Sequence, residues 1–267
     1  MKLSGKVIVV TGGGNGIGRE LVLALLGRGA TVAAVDRSEA ALRETTQLAG
    51  QAKSRLSTFA LDITDRHAVA ALPDAVIAKH QVVDGLINNA GIIQPFVKLN
   101  ELELDAIDRV MNVNFYGTLY MTKAFLPYFL QRPEAHITNI SSMGGFLPVP
   151  GQTAYGASKA AVKLLTEGLH SELSETSVGV TVVFPGATGT QIAQHSGVTV
   201  SAEMEEKGKA FKQLPPQEAA RIILDAMEQN RYRVLVGKDA KFMDMLYRLH
   251  PERAAAFIYR QMRALLS

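Results

Sequence analysis

Apolar residues recur along the chain in two alternating rhythms. Short runs rich in β-branched residues cover Lys6–Thr11, Thr31–Asp36, Ser57–Leu61, Gly85–Asn88, His136–Ser141, Val178–Phe184 and Arg233–Val236. Between them lie longer stretches with apolar residues three or four apart: Gly16–Arg28, Glu39–Ala49, Val69–His80, Ile107–Leu130, Tyr155–Leu173 and Gln217–Gln229. Short continuous apolar runs bounded by turn formers read as strands buried on both faces, and the 3.6-residue rhythm reads as helix. Their strict alternation predicts βαβ units. Right-handed crossovers then give an α/β fold, a doubly wound parallel sheet of about seven strands with helices on both faces. No repeat, linker or low-complexity tract divides 1–267, so one domain is expected. Segment 191–213 is polar and weakly periodic, and a long excursion there is more often functional than idle. The tail 239–267 carries Phe242, Leu246, Leu249, Phe257, Ile258, Met262 and Leu265 at helical spacing, with Pro251 splitting it in two. Arg248, Arg253, Arg260 and Arg263 decorate its other sides. Such helices pack on a core or a sister subunit, or lie on a membrane surface; packing is the expectation, because apolar helix faces in soluble proteins are usually buried.

Composition narrows the function classes. With 267 residues and 47% hydrophobic content the chain can bury a substantial core. Lys and Arg total 28 against 25 acidic residues, a net charge of +3 spread along the chain, so nucleic acid is not an expected partner. The absence of cysteine excludes disulfides and thiol chemistry. The six histidines stand far apart without metal-ligand spacing, and no metal is expected. The start, "MKLSGKVIVV", holds an apolar run of four residues and reads as a first strand, not a secretion signal. No apolar stretch has the length of a membrane span. A cytoplasmic location is the expectation.

Chemistry concentrates in ordered motifs. Gly12, Gly13, Gly14, Gly16 and Gly18 crowd within one turn of the start of the first helix, each costing backbone entropy. Such a turn either serves packing alone or sets backbone amides and a helix N-terminus against a phosphate, here a dinucleotide pyrophosphate. Asp36 ends the second strand, where a carboxylate can hydrogen-bond the adenosine ribose. A 2′-phosphate there meets a like charge, at ~1 kcal/mol in water and ~4 kcal/mol at an effective dielectric of 20. Arg37 follows at once and keeps a phosphate-bearing dinucleotide open as an alternative. Further on come "LDITD" (61–65), "NNAG" (88–91), "MNVNFYG" (111–117), "NISSMGG" (139–145), "YGASK" (155–159) and "PGATGT" (185–190). Tyr155 and Lys159 lie at i and i+4, on one helix face.

Spaced Thr11-Gly12-x-x-x-Gly16-x-Gly18 and followed by the rest in order, this set resembles the short-chain dehydrogenase/reductase family, in its single-domain branch, over nearly the whole chain. The resemblance implies a Rossmann-type fold and a nicotinamide dinucleotide cofactor. NAD is expected from Asp36, with NADP the alternative. Cofactor contacts are implied for Gly12, Asn15, Gly16, Ile17, Gly18, Asp36, Arg37, Asp62, Ile63, Asn89, Ala90, Gly91, Tyr155, Lys159, Pro185, Gly186, Thr188 and Thr190. Thr188 stands where many members carry an aliphatic residue. The implied catalytic residues are Asn114, Ser142, Tyr155 and Lys159. Asn114 holds a water behind the lysine in that reading, and Asn112 is the weaker candidate.

Hydride transfer between a secondary alcohol and a ketone needs a group to take or give the hydroxyl proton. A free tyrosine, at pKa ~10, is a poor base near neutrality. An ammonium ~4 Å away stabilises phenolate by ~4 kcal/mol at an effective dielectric of 20, enough to bring Tyr155 to about 7. Ser142 would hold the substrate oxygen. Segment 191–213 is then expected as a substrate lid, with Ile192, His195, Val198, Val200, Met204 and Phe211 in it. Together with Phe146, Leu147, Pro148, Val149 and Pro150 it points to a medium-sized apolar alcohol or ketone. The rivals are an NADP-dependent carbonyl reductase and a nucleotide-binding redox sensor without turnover. A homodimer or homotetramer is implied by resemblance only.

Overall fold

The computed structural model describes residues 1–198 and 213–263. The apolar runs form strands β1 (Val7–Thr11), β2 (Thr31–Asp36), β3 (Leu56–Ala60), β4 (Gly85–Asn88), β5 (Ala135–Ile140), β6 (Val178–Pro185) and β7 (Arg233–Val236). All pair in parallel in the order β3-β2-β1-β4-β5-β6-β7. Alternate residues of β1 feed opposite layers. Ile8 and Val10 face α1 (Gly16–Gly27), α2 (Glu39–Leu48) and α8 (Pro216–Glu228), through Leu21, Leu25, Leu42, Ile223 and Leu224. Val7 and Val9 face α3 (Arg66–His80), α5 (Thr118–Phe129) and α6 (Thr153–Glu172), through Val69, Leu72, Met121, Phe125 and Leu169. Burial on both faces is why the inner strands β1, β2 and β4 carry no polar alternation, whereas the edge strands β3 and β7 are only partly buried. The order reverses between β1 and β4, and in open sheets ligands bind beyond the carboxyl ends at such a point.

One expected helix is broken in the structure. The long helix expected over 107–130 is α4 (Leu104–Met111), a π turn (Asn112–Gly117) and α5 in succession. The wide turn is held by tertiary contacts. Asn114 bonds Ile92 through both ends of its amide, and Gly117 lies so close to Ile63 that an added Cβ would be 2.7 Å from its Cγ1.

The tail forms α9 (Lys238–Leu249) and α10 (Pro251–Met262), with Pro251 at the first helical position, where its missing N–H costs nothing. Met243, Ala254 and Ile258 pack on Leu147, as the packing alternative requires, while Phe242 and Leu249 stay exposed and Leu265 lies outside the described residues. Phe146 and Leu147, expected toward a substrate, pack in this small cluster and are not among the residues lining the cavity: the Phe146 ring meets Phe184 and Tyr247, at 5.5 and 6.3 Å. Of the expected lid, α7 (Ile192–His195) and the buried Ser196 and Val198 are described; Val200, Met204 and Phe211 are outside the described residues. No described helix is long and apolar enough to cross a membrane.

Candidate active site

The carboxyl ends of β1, β2, β4, β5 and β6 open onto a cavity of about 670 Å³, within the usual range for small-molecule sites. Every residue expected at the cofactor or the reacting centre lines it except Gly18 and Asn114. Gly12 has a φ of +67°, and a Cβ there would come within 3.0 Å of Ala90 Cα; one on Gly18 would collide with the Gly12 carbonyl. Gly18 thus lets α1 close onto the loop, a packing role beneath the cleft. Helix α1 starts at Gly16 behind Asn15, whose side chain makes no capping bond, so its first amides are left for another acceptor. A backbone cradle that side chains would fill, ending in uncapped amides, fits a pyrophosphate.

Asp36 does two jobs at the rim. Its carboxylate accepts from Gly14 N–H at 3.0 Å and Ser38 N–H at 2.9 Å, tying the glycine loop to the end of β2, and it also faces the cavity. Arg37 Nη2 donates to the His195 carbonyl at 3.1 Å, bridging from β2 to α7. Asp62 and Ile63 form the wall beyond β3. Across the seam, Thr11 Oγ1 accepts from the amides of Asn89 and Ala90, both at 3.0 Å. Pro185, Gly186, Thr188 and Thr190 line the far side. There Asp239, at the start of α9, accepts from Ala187 N–H at 2.6 Å and fixes the loop after β6.

The groups expected to react converge at the ends of β5 and α6. Ser142 Oγ accepts from Gly144 N–H at 3.0 Å, and a Cβ on Gly144 would lie 3.3 Å from the Tyr155 ring, so the serine loop packs against that ring. Lys159 is 4% exposed, its Nζ donating to the Ile140 carbonyl at 3.0 Å. Its own carbonyl accepts from Ser141 Oγ at 2.7 Å, which locks α6 to β5. Burial pulls the Lys159 ammonium down to about 8. Burial pushes the Tyr155 phenol up, and its hydrogen bond with Ser142 works the other way. This differs from the neutral-range phenol expected from i,i+4 spacing. The lysine head is engaged by Ile140, and the cost of desolvating a phenolate dominates.

Asn114 stands behind Lys159 and not in the cleft. Its Nδ2 donates to the Ile92 carbonyl and to Ser158 Oγ, both at 2.9 Å, and its Oδ1 accepts from Ile92 N–H at 2.8 Å. A Cβ on Gly91 would sit 3.1 Å from Lys159 Nζ and 3.2 Å from Asn114 Oδ1, pressing on both. Sequence reasoning missed Gln94, Asp239 and Ser196. All three are single polar residues in loops or at element ends, whose partners lie far away in the chain, and no local pattern marks them.

The family model described as short chain dehydrogenase matches residues 6–200. A Mycobacterium tuberculosis protein named as an oxidoreductase, SadH, is 37% identical over 251 residues, covering 92% of this chain and 91% of its own. Among solved structures, a short-chain dehydrogenase/reductase from Burkholderia phymatum in complex with NAD superposes with a TM-score of 0.86 at 26% identity, covering 94% of this chain and 96% of that one. A short-chain dehydrogenase from Burkholderia cenocepacia in complex with NADP gives 0.80 at 28% identity, over 97% and 99%. With that match over most of its length, on this sheet order, the chain belongs to the short-chain dehydrogenase family of oxidoreductases.

Proposed function

We propose that the protein interconverts a secondary alcohol and a ketone, with Tyr155 as the general acid/base and NAD as the preferred cofactor. The convergence of Ser142, Tyr155 and Lys159 at the open end of the glycine-loop cleft carries this reading. A bound nicotinamide dinucleotide supplies the hydride acceptor or donor. Ser142 orients the substrate oxygen, and Tyr155 takes its proton in oxidation or returns one in reduction. Lys159, a cation held beside the cleft, would offset part of the cost of burying the phenolate. Because burial raises the Tyr155 phenol, alcohol oxidation is expected to accelerate toward alkaline pH and ketone reduction to slow.

Preference for NAD rests on Asp36, whose carboxylate would repel a 2′-phosphate by ~1 to ~4 kcal/mol. The engagement of Arg37 by His195 adds to it. NADP, carried by one of the similar structures, is the alternative. Ile92, Ile93 and Ile192 line the cavity and support a medium-sized apolar substrate.

Paired titrations with NADH and NADPH, read by nicotinamide fluorescence, test the cofactor. Tighter NADPH binding overturns the Asp36 argument, and binding of neither ends the dinucleotide reading. On an alcohol and ketone panel, Tyr155→Phe is expected to lose about 10²- to 10⁴-fold in kcat with NADH affinity kept. Wild-type turnover by that variant removes Tyr155 from its role. Tight NADH binding with no turnover across the panel favours the redox-sensor reading.

A further inference from the structure

Helix α6, which carries Tyr155 and Lys159, starts without a cap of its own. Gln152 holds the N-cap position and its side chain makes no capping bond. First-turn amides have no partner inside a helix and must find one elsewhere. For Tyr155 N–H that partner is Gln94 Oε1, at 2.9 Å and 61 residues upstream. Gln94 is fully buried (0% exposed), and both ends of its amide are used: Nε2 donates to the Gly151 carbonyl at 2.9 Å. Its main-chain carbonyl accepts from Gln152 Nε2, also at 2.9 Å. One residue therefore grips the chain before, at and after the start of α6.

The segment that presents Gln94 is itself pinned. Asn89 and Ala90 hang from Thr11 Oγ1, Ile92 from the Asn114 amide, and Ile93 N–H from Ser196 Oγ at 3.0 Å. Gln94 thus ends a segment that is anchored at its start to Thr11 of β1 and, through the Gln94 side chain, to the backbone of Tyr155. The chemistry suits a primary amide. It offers a carbonyl to an N–H and an N–H to a carbonyl from one planar group. Methionine has the length and neither function, whereas a neutral glutamic acid has both.

We propose that Gln94 is a positioning residue for Tyr155, setting where the first turn of α6, and so the phenolic oxygen, stands relative to the cofactor cleft. The inference rests on the acid/base reading of Tyr155. Displacing a reacting group by 1 Å can cost about 10²-fold, while removing Gln94 leaves the residues lining the cleft unchanged.

The test compares Gln94→Met, Gln94→Glu, Tyr155→Phe and the Gln94→Met/Tyr155→Phe pair on the fastest substrate of the panel, with NADH affinity measured for each. Gln94→Met is expected to lower kcat about 10- to 100-fold with NADH affinity within about twofold of wild type, which also shows that the cleft has folded. Gln94→Glu is expected to recover most of kcat at acid pH, where its carboxyl is neutral. Relative to wild type at each pH, it should lose it as pH rises and the ionised carboxylate faces the Gly151 carbonyl; a simple void would give a ratio to wild type that does not change with pH. The double variant is expected to be no slower than Tyr155→Phe alone, the non-additivity of two residues acting through one group. Wild-type kcat in Gln94→Met overturns the proposal, as does equal loss of kcat and NADH affinity, or additive losses in the pair. Full activity of Tyr155→Phe would instead sink the acid/base reading itself, and the proposal with it.

Discussion

Lys159 shows how closely chemistry and stability are joined in single side chains. Its ammonium is buried against the Ile140 carbonyl, and burial lowers it to about 8. The unfolded chain holds that proton up to about pH 10.4, so between about 8 and 10.4 the unfolded state binds more protons and stability rises with pH. Below 8 the cost of the buried charge is present in full. Lys159→Met removes the charge and keeps most of the bulk. Its melting temperature relative to wild type is expected to be most favourable at pH 7 and to lose that advantage by pH 10. A pH-independent difference would mean that Lys159 is not perturbed. Ser142, Tyr155, Lys159 and Asp36, which all line the cavity, could be picked out in the sequence because they sit in short motifs that follow one another in order. Where the lysine head points was not, since i,i+4 spacing fixes a helix face and leaves the last three torsions of the side chain open. Gln94 was invisible for a stronger reason: its meaning lies in a contact 61 residues away.

At the scale of elements, strands were easier to read than helices. Continuous apolar runs mark the inner strands, buried on both sides, and all seven strands lie within a residue or so of the runs that predict them. Helical periodicity over 107–130 concealed the π turn, because the turn is enforced from outside, by Ile63 and Ile92. A π turn holds one residue more than the α-helical path, and each helical residue turns the chain by about 100°. Deleting Val113 is expected to straighten the helix, leaving either Asn114 away from Ile92 or the Met121–Phe125–Phe129 face away from the sheet. A loss comparable to truncating a buried aromatic, about 3–5 kcal/mol, is expected in denaturant melts, together with loss of NADH binding. A deletion variant that melts and binds like wild type would show the wide turn to be dispensable.

For the whole molecule, sequence alone supplied the layers but not what covers them. Apolar spacing in the tail left packing and membrane contact both open, and only the fold shows α9 and α10 closing over Leu147. The reversal of strand order between β1 and β4 also governs how the chain assembles. The first pair of β1 with β2 is Val7 with Thr31, and the first with β4 is Ile8 with Gly85, across a much longer loop. Closing the longer loop costs about 1 kcal/mol more in chain entropy, and contacts of high sequence separation slow folding. The first three strands can join early, whereas the seam with β4 must wait for the second half of the sheet. Refolding followed by circular dichroism is therefore expected to run ahead of refolding followed by NADH fluorescence, and a single shared rate would count against that order. Before the seam closes, Thr11 has no Asn89 or Ala90 to hold, and the cleft exists only as two unjoined walls.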